Sequence, residues 1–78
     1  DADVRRIIRQ IAEAHPSIRR VRRVVTYVSG KRRYINMDCF FDKGISVEAM
    51  HETASHIEAE IKRRFKEAVV TIHPEPSP

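Results

Sequence analysis

From Arg33 to Asp42 the chain alternates residue by residue. Ile35, Met37, Cys39 and Phe41 fall on one side, and Tyr34, Asn36, Asp38 and Phe40 fall on the other. A period of two belongs to a strand with one face in a core. Such a strand needs a partner along its edge and a layer over its apolar face. The preceding run, Arg20 to Ser29, supplies the partner, because Val21, Val24, Val25, Thr26, Tyr27 and Val28 favour extended backbone. Ser29-Gly30-Lys31 between the runs is turn chemistry, so the two form a β-hairpin.

The covering layer comes from two helical stretches. In residues Ala2 to His15, Val4, Ile7, Ile8 and Ile11 recur at helical spacing, and Ala14 continues the stripe. Asp1 or Asp3 caps this helix and Pro16 stops it. Ser46 is the N-cap of a second helix reaching about Phe65, with an apolar seam of Val47, Met50, Ala54, Ile57, Ile61 and Phe65. Glu58 with Lys62, and Glu60 with Arg64, form i,i+4 pairs on its wet side. A last strand, Ala68 to His73, precedes Pro74-Glu75-Pro76-Ser77-Pro78, which reads as an irregular tail because prolines cannot extend a ladder.

The expected fold is α+β in the order α-β-β-α-β. Two helices pack on one face of a three-stranded mixed sheet, a ferredoxin-like arrangement lacking its first strand. Residues 1–73 make one domain and 74–78 the tail. A chain of 78 residues buries only about 60% of its unfolded surface. The lone Cys39 rules out an internal disulfide, so a metal or a second subunit is the expected source of extra stability. Cys39 alternates with core residues and reads as packing. No run approaches the ~20 apolar residues of a membrane helix.

Net charge is +4, and arginines cluster at Arg5, Arg6 and Arg9, then Arg19, Arg20, Arg22 and Arg23, then Arg32 and Arg33. Such clusters suit nucleic-acid phosphates or anionic lipid headgroups, although a solvated mixed-charge face is the plainer reading. A nucleic-acid module would use Tyr34 and Phe40 on the outward strand face, but the strand lacks the glycine-aromatic signature of RNA-recognition sheets. No nucleophile–base pair or phosphate-cradling glycine loop is present, with only Gly30 and Gly44, so an enzyme is not expected.

The segment SVEAMHETASHIEAEIKRRF, followed by AVVTIHPEP, resembles the end of the cation diffusion facilitator family. There, a helix carrying a histidine leads into a final strand ending His-x-Glu-Pro. HPSIRRVRRVVTYVSGKRRYINMD also resembles the family's upstream hairpin, so the likeness spans essentially the whole chain. It implies a domain on the cytoplasmic face of a membrane that forms a homodimer. A covalently attached membrane transport domain, absent from this chain, exchanges divalent metal for protons. Metal bound at or near the dimer interface regulates that transport. A stand-alone metal-binding regulatory domain is the alternative within the same resemblance.

The resemblance also implies a ligand set. His51 and His73 match family histidines, Glu75 stands at an acidic position, and Asp38 stands where relatives carry histidine or aspartate. Arg22 departs, because zinc-binding relatives can carry histidine there and a guanidinium cannot ligate a cation. Its charge is expected to pair with Asp38 or Glu75, or else to point into water. Imidazole with carboxylates suits Zn²⁺, and Mn²⁺ or Fe²⁺ as the oxygen share rises. Strand parity places Asp38 and His73 on the sheet face away from the helices. His51 lies roughly 80° from the helix seam, so a site shared across a dimer is the easier geometry. His15 and His56 read as plain surface.

Overall fold

The computed structural model describes residues 2–77. Its elements are α1 (Ala2–Glu13), β1 (Ile18–Ser29), β2 (Arg32–Phe41), α2 (Val47–Arg64) and β3 (Ala68–Pro76). The sheet order is β1-β2-β3, with β1 antiparallel and β3 parallel to β2. α1 packs over β1 and α2 over β3, so both helices cover one face. The expected architecture holds. Among the described residues no helix is long and apolar enough to cross a membrane. Asp1 as a cap and Pro78 in the tail lie outside the described residues.

The core forms where the inward residues of β2 meet the helices. Ile35, Met37, Cys39 and Phe41 are fully buried together with Ile8, Ala12, Ile57 and Ile61. α1 ends at Glu13, two residues before the expected His15; Ala12, one turn after Ile8, is in the core, and Ala14, beyond the helix, is exposed. Ser46 caps α2 by accepting a hydrogen bond from the Ala49 amide at 3.0 Å. Val47, the first residue of the expected seam, is exposed.

The strands depart more from the sequence reading. β1 starts at Ile18, and its register slips twice, between Ile18 and Arg20 and between Arg22 and Val25. Each slip inserts extra residues opposite β2, as a β-bulge does. Val21 and Val24 thus both reach the core, which no regular alternation allows.

The tail is also corrected, because residues 74–76 belong to β3 and pair with Cys39 to Phe41. Ser77 continues the contact, its amide donating to the Phe41 carbonyl at 3.1 Å. Odd-numbered residues of β3 therefore bond toward β2, while Pro74 and Pro76 turn their missing donors to the free edge.

Two polar expectations change. Glu58 and Lys62 pair at 2.8 Å, but Glu60 turns from Arg64 to His15, with 2.7 Å between its Oε1 and the ring Nε2. His15 is thus a half-buried link from the α1–β1 loop to α2. His56 is exposed as expected.

Burial pushes the Cys39 thiol up to about 11 from an ordinary 9.0, and the neighbouring Asp38 carboxylate adds to the rise. A raised thiol pKa favours the neutral folded form, so this stability is complete below pH 9 and is lost as pH climbs toward 11. In metal-free urea titrations, the parent should lose on the order of 2 kcal/mol more than Cys39→Ala across that window. Parallel losses would contradict the burial of this thiol.

Candidate metal centre

The face of the sheet away from the helices carries the remaining residues of each strand. Across it, Arg22, Asp38 and His73 form one row, and Arg20, Phe40 and Glu75 form the next. These rows follow from register. Burying Met37 and Cys39 turns Asp38 outward, and pairing Ile72 with Met37 sets His73 beside Asp38. An open depression of about 390 Å³ results, lined by Arg23, Asp38, His73, Pro74 and Glu75.

Arg23 is the residue that the sequence reading missed. It sits in the second bulge of β1 with φ at 55°, where the backbone swings its side chain across the ladder. Its Nε lies 3.5 Å from Asp38 Oδ2, with the carboxylate side chain 20% exposed and the arginine 76% exposed. Arg22, expected to be the partner of Asp38 or Glu75, instead places its guanidinium carbon 5.4 Å from the centre of the Phe40 ring. A sequence signal existed: Ile18, Val21 and Val24 recur every third residue, a spacing that an unbroken strand cannot bury on one face.

His51 does not join the other three. It is exposed on α2 and lines a separate depression of about 150 Å³ with Met50, Ala54, Ile72 and Pro74. Pro74 borders both depressions, so the edge of β3 divides His51 from Asp38, His73 and Glu75. Among the described residues, no three His, Cys, Asp or Glu side chains converge closely enough to hold an ion. One chain offers donors of the right chemistry for a borderline cation, but as an open set with a guanidinium on one carboxylate.

Toward the hairpin turn, this face also carries apolar and aromatic groups. Tyr27 and Tyr34 stack with ring centres 5.1 Å apart. Val25 and Tyr27 are 51% and 52% exposed. Both outward aromatics of β2 are engaged within the chain, Tyr34 by Tyr27 and Phe40 by Arg22.

Residues 1–77 match the family model described as "Cation efflux protein, cytoplasmic domain". A metal-bound C-terminal domain of the CzcD transporter from Thermotoga maritima is 32% identical, with a TM-score of 0.87 over 96% of this chain and 88% of that one. A nickel form of a MamM C-terminal domain variant superposes with a TM-score of 0.87 at 19% identity, covering 100% of both chains. A copper form of another variant gives 0.86 at 20% identity, over 99% of this chain and 98% of that one. Comparison with curated proteins gave no match.

The left-handed backbone at Arg23 separates two substitutions. Glycine adopts that conformation freely, whereas a β-branched residue is strained there. Arg23→Gly should unfold at close to the parent's urea midpoint, and Arg23→Val should lose about 1–2 kcal/mol. Equal losses would mean that the bulge does not form.

Proposed function

Because the chain belongs to the family of cation efflux protein cytoplasmic domains, we propose that it pairs with a second copy through the bare sheet face and binds a divalent cation there. The observation that carries this reading is the grouping of Asp38, His73 and Glu75 on the one face that no helix covers. Exposed Val25 and Tyr27 on the same face supply apolar area for the contact. The open donor set suits an ion completed by groups from a second copy, and such an ion ties pairing to metal concentration. Pairing in turn regulates an attached membrane transport part. The metal-bound CzcD domain and the MamM copper and nickel forms support a divalent cation.

Imidazole with carboxylate oxygen favours Zn²⁺, with Mn²⁺ or Fe²⁺ as alternatives where oxygen dominates. His73, Asp38 and Glu75 form the principal donor group, and His51 is a separate donor beyond the β3 edge. Arg23 competes with the ion for Asp38, so metal must displace a tethered cation before it binds fully. An exposed ion pair of this kind holds at most about 1 kcal/mol.

Calorimetric Zn²⁺ titration combined with light scattering tests the proposal. A dimer at high micromolar concentration without metal is expected, made firmer by the ion. Asp38→Ala with His73→Ala should weaken binding by at least about tenfold, and His51→Ala by less. Arg23→Gly should tighten it by up to about fivefold. A monomer at every concentration, or a double variant that binds as the parent does, would refute the assignment.

A further inference from the structure

We propose that the first bulge of β1 builds an oxyanion site for a phosphate group, beside the metal depression on the outer face. Ile18 pairs with Phe41 and Arg20 with Phe40, which leaves Arg19 as the inserted residue. Ile18 and Val21 are both buried, although three residues apart they would face opposite ways in a regular strand. The bulge resolves that conflict by turning Arg19 and Arg20 to the same outward side. Regular alternation then adds Arg22. Three arginines thus line one depression of about 340 Å³, together with Phe40 and Ser77.

The arginines are held and only partly neutralised. Arg22 places its guanidinium carbon over the Phe40 ring, 5.4 Å from its centre, a cation–π contact that occupies none of its N–H donors. Arg19 Nη1 lies 3.5 Å from Asp42 Oδ1. Among the described residues, neither Arg20 nor Arg22 pairs with a carboxylate. Ser77 is held by its hydroxyl, which donates to the Phe41 carbonyl at 2.6 Å. Arg20 and Arg22, which hold no carboxylate, are the donors left for a phosphomonoester, with Asp38 beside Arg22 and Glu75 beside Phe40 lowering the net charge of the face. Planar forks suit the tetrahedral phosphate oxygens better than ammonium groups would.

Binding is tested on the full chain in metal-free buffer at low ionic strength. Inorganic phosphate is titrated while amide resonances are followed, and phosphatidylcholine vesicles with or without phosphatidic acid are co-sedimented with the protein. Saturable shifts around Arg19, Arg20, Arg22 and Phe40 are expected. Arg20→Ala and Arg22→Ala should each weaken binding about tenfold, and Arg22→Lys should also weaken it because the fork is lost. Arg5→Ala, an exposed arginine on α1, should change nothing. Phosphate binding without sedimentation assigns a free oxyanion. Phosphatidic-acid-dependent sedimentation that needs Arg20 and Arg22 assigns a lipid headgroup. Neither response, or equal weakening by Arg5→Ala, would overturn the site.

Discussion

Both ladders of the sheet run through β2, and β2 alone contributes four fully buried side chains, Ile35, Met37, Cys39 and Phe41. Strand pairing has a period of two, so a slip of one residue would exchange every inward and outward group. Such a slip would drive Asp38 into an apolar core with no partner, and an unpaired buried carboxylate costs several kcal/mol. The alternation that builds the core therefore also holds Asp38 outward beside His73. Core and candidate site share a single register.

That shared register explains which parts of the molecule were legible in the chain. Periodicity is a local property, so β2, both helices and the turn at Gly30 could be read from neighbouring residues. The placement of Asp38 and His73 on one outward row needed only strand parity and parallel pairing. The bulges of β1 are different, because they reconcile the side chains of one strand with the register of another. Arg23 reaches Asp38, and Arg22 reaches Phe40, only after that reconciliation. Glu60 is a similar case. Its partner could not come from helix spacing, since His15 is supplied by a loop distant in sequence.

On the outer face, charge is sorted along the strands. Carboxylates and imidazole gather where β2 meets β3, while guanidinium groups line β1. Among the described residues, Arg23 is the arginine that pairs with a carboxylate of the β2–β3 group, and it does so from a backbone conformation with positive φ. Its attraction to Asp38 is screened by water, given its exposure. An exposed cation of this kind sets a positive charge beside the carboxylate and leaves the depression around it open.

Pro74 and Pro76 carry a further consequence. With their nitrogens turned outward, the last stretch of β3 presents no donors to a further strand, so a fourth strand finds an incomplete ladder there. At the opposite edge, two bulges interrupt β1, and Arg9 from α1 already donates to the Val21 carbonyl. The sheet therefore resists lateral growth at both margins, although it leaves a whole face uncovered. With both edges closed in this way, the uncovered face can meet a partner without the sheets stacking edge to edge into fibres.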